Sequence, residues 1–151
     1  MIKFLRLFAL STILTLSLST LAFNQTKFLT GRVVDEELNP IVNATVRNYD
    51  LINETQTDSE GSFRVSLLPN TKCLSINLLG YETTAINLSL NCKSVDIILI
   101  NHVTYDYTSL KAINRKRKRR LDNLLTLHLL AYKKGVFTTD KPCYQQTFLA
   151  H

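Results

Sequence analysis

Three histidines, His102, His128 and His151, are the first residues to test for metal binding or proton transfer, and they stand far apart. None has a Glu or a second His at a helical or loop spacing that would complete a metal site. His128 falls on an apolar, helix-like stretch, where a packed histidine is the expected state. In "TDSEG", Asp58 and Glu60 offer two carboxylates, whereas a calcium loop needs about six oxygen ligands over a dozen residues. A hairpin turn is the better reading. The chain has no Gly-x-Ser-x-Gly, no Gly-rich phosphate loop and no Cys-x-x-Cys, and only four glycines in all. No catalytic residue, metal ligand or cofactor site is therefore assigned, no small-molecule substrate is evident, and a non-enzyme is expected.

Cys73, Cys92 and Cys143 are an odd count. Cys73 and Cys92 flank one hairpin, yet alternation puts Cys73 on the outer parity with Ser75 and Asn77, and Cys92 on the inner parity with Leu88 and Leu90. A disulfide needs both Cβ atoms on one side, about 3.5–4.5 Å apart. Three outcomes stay open: a Cys73–Cys92 bond rescued by a bulge, a Cys73–Cys143 bond tying the tail to the body, or buried free thiols.

The densest charge is the run Arg115, Lys116, Arg117, Lys118, Arg119, Arg120. On a helix six consecutive residues sweep about 500°, so no side of the turn is expected to be free of charge. The run is expected to bridge, protrude or bind, either as a solvated face or against an anionic envelope surface or acidic partner. Near an anionic bilayer each Lys or Arg contributes about 1 kcal/mol, within a screening length of ~8 Å. Nucleic acid is not expected: no aromatic residue interleaves the run to stack bases, and the chain carries an export signal.

That signal is "MIKFLRLFALSTILTLSLSTLAFNQ". Lys3 and Arg6 precede an apolar stretch from Phe4 to Leu21, Thr20-Leu21-Ala22 supplies the small residues before a cut, and no acidic residue occurs before Asp35. This is the pattern of a secretory signal peptide over residues 1–22. The rival is an uncleaved inner-membrane anchor, because the stretch nearly reaches the ~18–20 residues that span a bilayer. The expected location is exported, periplasmic or outer-membrane associated. Charge beyond residue 22 is uneven: residues 23–114 hold 7 Lys/Arg against 10 Asp/Glu, and 115–151 hold 9 against 2.

The elements that must carry these residues follow from periodicity. "FRVSLL", "CLSINLL" and "TAINLSL" alternate apolar and polar, as half-buried strands do. Turn signals such as "ELNP", "TDSEG" and "LGYE" separate them. Many short strands without a helical pattern between them predict an antiparallel β-sandwich over residues 23–106. From 107 to 134 the pattern changes. Leu121, Leu124, Leu125, His128 and Tyr132 recur at three- and four-residue steps, predicting a basic amphipathic helix. Asp122–Asn123 marks a place where a second segment could be capped. Lys133, Lys134 and Gly135 suit its C-terminal end. Residues 135–151 read as a short extended tail.

Particular residues add a family. "GRVVDEELNPIVNATVRNYD", "TDSEGSFRVSL" and "LLGYETTAINL" contain, in order, Gly31, Val33, Asp35, Pro40, Ala44, Val46, Thr57, Asp58, Gly61, Phe63, Gly80 and Tyr81. The series resembles the carboxypeptidase regulatory-like domain over about residues 28–100. Asn43 stands where that pattern usually has Gly, and Asn is the residue best able to replace Gly at positive φ. The resemblance implies an all-β, seven-stranded Greek-key sandwich similar to transthyretin. Such domains occur beside metallocarboxypeptidase catalytic domains, at the N-termini of TonB-dependent outer-membrane receptors, and as short exported proteins whose endings are similar around "AYKKGVF" and "PCY". The expected function is a non-enzymatic exported module for protein interaction or scaffolding at the bacterial cell envelope. The alternatives are a membrane-surface protein binding anionic lipid through the basic helix, or an auxiliary subunit of an outer-membrane transporter or peptidase, the latter by fold analogy alone.

Overall fold

The computed structural model describes residues 27–48, 53–68, 71–89, 92–103 and 109–148. The expected signal segment, Leu90 and His151 lie outside the described residues. Among the described residues, seven strands precede one helix: β1 (Lys27–Val34), β2 (Thr45–Asn48), β3 (Glu54–Gln56), β4 (Ser62–Leu67), β5 (Cys73–Asn77), β6 (Thr84–Leu88) and β7 (Ser94–Ile98), then α1 (Leu110–Lys133). The tail adds an eighth, β8 (Tyr144–Phe148). They form two sheets, ordered β4-β1-β7 and β3-β2-β5-β6-β8.

Alternation builds the space between the sheets. Leu29 and Val33 of β1, Phe63, Val65 and Leu67 of β4, and Val95 and Ile97 of β7 meet Val46, Leu74, Ile76 and Ile86 from the other sheet, all buried. Strand β7 is buried on both faces: Val95 and Ile97 point into the sandwich, while Ile98 lies under the helix with Val34 and Ile100. Its near-continuous run "VDIILI" is what a strand covered on both sides requires. The helix is thus a third layer, on the outer face of the smaller sheet, where Leu124, Ala131 and Phe137 complete a second apolar cluster.

Two expectations change. The sandwich is not wholly antiparallel, because β1 and β7 pair in parallel, with Thr30 opposite Ser94 and Val34 opposite Ile98. Nearly the whole body separates these strands, so no tight turn constrains their direction. Among the described residues there are also eight strands, against the seven expected. The extended tail pairs antiparallel with β6, Tyr144 opposite Leu88 and Phe148 opposite Thr84.

Strand β8 also closes the seam between the sheets. The Tyr144 hydroxyl donates to the Asp96 carbonyl and Gln146 Nε2 to the Ile98 carbonyl at 2.8 Å. Residues two apart on β8 thereby satisfy carbonyls two apart on β7, a side-chain substitute for the backbone ladder. Burial, with Asp96 nearby, pushes the Tyr144 phenol far above its ordinary range. A disulfide joins Cys92 to Cys143, Cα atoms 5.5 Å apart. Neither of the two pairings expected from the sequence forms. Parity separated Cys73 from Cys92 correctly: Cys92 is in the core, and Cys73 is a half-buried free thiol. The tail brings the actual partner to the inner side.

The family-pattern residues occupy turns and close contacts. Gly31 lies opposite Phe63 on β4 and Val95 on β7; a Cβ there would stand 2.7 Å from the Phe63 ring and 2.1 Å from the Val95 carbonyl oxygen. Asp35 Oδ1 accepts from the backbone N–H of Glu37 at 2.9 Å and Asn39 at 2.8 Å, organising the turn that reaches Pro40. Asp58 Oδ1 does the same for Glu60 and Ser62, at 2.9 and 2.8 Å. Gly61 takes φ 72° beside it, and Asn43 takes φ 60° as expected. Leu38 also takes φ 70°, which its residue type did not signal. The Thr57 hydroxyl accepts from Ala44 N–H and donates to the Ile41 carbonyl, at 2.8 and 2.7 Å. Gly80 and Tyr81 turn the β5–β6 hairpin, Tyr81 packing against the core and bridging Asn101.

Candidate functional site

The basic run lies in the first half of α1. Ser109 caps the helix, its hydroxyl accepting from Ala112 N–H, as short polar side chains do at this position. The end is a Schellman motif: Gly135 N–H donates to Tyr132 O and Val136 N–H to Ala131 O, both at 2.9 Å, with Gly135 at φ 73°. Between the caps the helix is continuous for 24 residues, so Asp122–Asn123 does not break it. Asn123 is exposed mid-helix, where the packing of Leu124, His128 and Ala131 outweighs its weak helix preference.

The six basic residues were expected to leave no side of the turn buried, and here the structure differs. Arg117 and Arg120 turn inward and are partly buried; Arg115, Lys116, Lys118 and Arg119 are exposed. Arg117 grips Glu82 with two bonds, Nε to Oε1 at 3.2 Å and Nη2 to Oε2 at 3.1 Å. Glu82 is only 2 % exposed, and His102 Nδ1 lies 3.4 Å from its Oε1. Arg120 grips Glu36 in the same forked way, Nε to Oε1 at 3.2 Å and Nη2 to Oε2, while its Nη1 donates to the Asn101 carbonyl at 2.9 Å. Counting back from Ala131, His128 and Leu124 in steps of three and four reaches Arg120 and then Arg117. The inward stripe therefore continues through the run, changing from apolar to cationic where the surface beneath changes from β7 to two acidic turns. Planar guanidinium forks suit carboxylates in this geometry, which lysine cannot reproduce.

Glu36 follows Asp35, and Glu82 follows Tyr81. The carboxylates that receive the helix are thus next in sequence to two turn-forming residues of the family pattern. Tyr81 is raised in pKa first by burial and then by Asp35 and Glu37, placing these turns in one electrostatic neighbourhood. Sequence reasoning did not assign Glu36, Glu82 or Asn101. The signal was available in the helical phase of Arg117 and Arg120, but their partners lie 35 and 84 residues away, respectively. At the other end of α1, Arg32 Nη1 donates to the Val136 carbonyl at 3.2 Å, and the Asp96 carboxylate accepts from Thr138 N–H and hydroxyl at 2.9 and 3.0 Å.

Of the histidines, His128 is buried in the helix–sheet layer, its Nε2 donating to the Thr139 carbonyl at 3.0 Å and its ring 4.8 Å from that of Phe137. Burial lowers its pKa, against smaller opposing effects of the Thr139 carbonyl, Asp96 and Asp140. Among the described residues no three His, Cys, Asp or Glu side chains stand close enough to hold a metal ion. No described helix is long and apolar enough to cross a membrane. Outward, the first half of the helix presents Arg115, Lys118 and Arg119.

No curated protein matches the chain. Among solved structures, one chain of a type II cohesin–X-dockerin complex from Acetivibrio cellulolyticus, an N-terminal interface mutant, is similar at 16 % identity and a TM-score of 0.42, covering 50 % of this chain and 58 % of that one. A chain of the corresponding C-terminal interface mutant gives 18 % identity, a TM-score of 0.41 and coverages of 48 % and 56 %. This chain thus spans a little over half the length of those it matches. Residues 29–100 match the carboxypeptidase regulatory-like domain family, the segment holding Gly31 through Tyr81 and both acidic turns. Helix α1 and strand β8 lie outside it, built onto its outer face and its open seam. Residues 29–100 of this chain are a carboxypeptidase regulatory-like domain.

Proposed function

We propose that this protein is a non-enzymatic β-sandwich module that presents a basic helix for protein interaction or scaffolding at the bacterial cell envelope. The transthyretin-like Greek-key form of the sandwich belongs to the same proposal. One observation carries it: Arg117 and Arg120 fix the helix to buried or partly buried carboxylates, so that Arg115, Lys118 and Arg119 are held outward on a rigid support. A helix needed only to cover the sheet requires no such outward row, and pre-organised charge favours fast, selective encounter with an acidic surface. Lys3, Arg6 and the Phe4–Leu21 stretch support export. The acidic partner reading is preferred to anionic lipid because two of the six cations are engaged by the protein itself, which reduces the charge left for a bilayer.

The test substitutes Arg115, Lys118 and Arg119 with Gln while keeping the two clamping arginines. The protein should fold as before, lose a chemically cross-linked envelope protein, and show no flotation with anionic vesicles in either form. Salt-sensitive flotation abolished by the same change would replace this reading with the lipid one.

A further inference from the structure

The inward stripe leaves a second apolar row on α1. Leu125 is 65 % exposed and Leu129 41 %, one turn apart, with Tyr132 beyond them and Lys118, Arg115 and Lys111 continuing the row toward the N-terminus at steps of three, four and seven residues. Beside this row is an open groove of about 440 Å³. Leu121, Leu124 and Leu125 wall one side, Pro142 and Tyr144 the other, with Ile98 also lining it. Asp122 lines it too. Apart from Ile98, its lining residues lie outside residues 29–100, so the groove is made mainly by the helix and tail added to the family domain.

We propose that the groove between α1 and β8 seats a short amphipathic helix of a partner protein, its apolar side chains against Leu121, Leu124 and Leu125 and its acidic residues against Lys111, Arg115 and Lys118. This rests on the protein-interaction reading above and gives it a site and a partner chemistry. Shape argues for a helix: the α1 wall presents Leu121, Leu124, Leu125 and His128 at three- and four-residue spacing, into which the ridges of another helix fit. An added strand is disfavoured, because β8 is paired with β6 and turns its other side to β7 through Tyr144 and Gln146. Charge argues for the partner's composition. The exposed cations precede the leucines along one face, so a matching segment carries acidic residues beyond one end of its apolar stripe. A flat anionic bilayer fits less well, since Leu121 and Leu125 wall a concavity and Asp122 sits between them and the cations.

The experiment places a photo-cross-linking residue at position 125 of the full chain in producing cells, with position 119, beside the outward cations and about 120° around the helix from 125, as the comparison. The adduct is sequenced and its segment made as a synthetic peptide. The expected result is an acidic amphipathic segment whose peptide binds the purified protein and loses about tenfold or more in affinity on L125D or K118E. Both substitutions are at exposed positions, and an unchanged melting curve confirms that the fold is intact. An adduct to phospholipid or to a second copy of this chain, a peptide without acidic residues, or affinity unmoved by L125D overturns the inference. A protein adduct at 119 with none at 125 overturns the groove alone and leaves the module reading standing. No protein adduct at either position overturns both.

Discussion

His128 and Arg117 occupy the same inward stripe of α1 and are handled in opposite ways. Arg117 is partly buried against both carboxylate oxygens of Glu82; removing one partner of such a pair leaves a buried charge uncompensated, at a cost of about 3–5 kcal/mol. His128 has no carboxylate on its ring and is held neutral, Nε2 carrying the proton that Thr139 O accepts. The sign of its pH effect follows. Burial depresses the folded pKa below the unfolded value near 6.5, so the unfolded chain binds the proton first and stability falls as pH drops below about 6.5. Denaturant melts from pH 7.5 to 5 should show this loss, with a slope of at most about 1.4 kcal/mol per pH unit from this group. His128→Gln, which still donates to Thr139 but does not titrate, should flatten it. An unchanged slope would mean that the imidazole accepts a proton in place.

At the scale of elements, strand β8 explains why the tail is part of the fold. A two-sheet sandwich leaves a seam along its open edges, and buried carbonyls there must be satisfied. Tyr144 and Gln146 do this for β7, while Asn53 Nδ2 donates to the Ser66 carbonyl near the opposite seam. The Cys92–Cys143 bond spans 51 residues, for which loop closure gives up to about 4 kcal/mol. Tyr144→Phe, which abandons the Asp96 carbonyl, should therefore cost about 1–3 kcal/mol, and Cys143→Ser about 2–4 kcal/mol, both read from denaturant midpoints. Tyr144→Phe at wild-type stability would show that the seam is satisfied by solvent. Much of this architecture was legible beforehand. Alternation marked Phe63, Val65, Leu74 and Ile76 as inward, and Gly61, Asn43 and Gly135 marked three left-handed turns. What was not legible depends on distance in sequence. Local pattern carries no record of the parallel β1–β7 pairing or of β8 beside β6, and parity argued against Cys73–Cys92 without indicating the Cys92–Cys143 bond.

The described residues form three layers: a five-stranded sheet, a three-stranded sheet and a helix fastened over its outer face. The basic run was legible as charge but not as structure, because six cations in a row conceal the two that continue the helix's inward phase. Their carboxylates, Glu36 and Glu82, sit on turns of residues 29–100, so the family domain supplies the anchor and the added helix supplies the arginines. Native-state hydrogen exchange of the α1 amides, compared between the wild type and the R117Q/R120Q double variant, tests this most directly. In the wild type, amides from Ile113 to Ala131 should exchange as slowly as those of β7. In the variant, those from Ile113 to Leu121 should lose at least about a hundredfold in protection while β7 keeps its own. An α1 that already exchanges rapidly in the wild type, or one whose protection is untouched by losing both arginines, would contradict the account of a clamped helix.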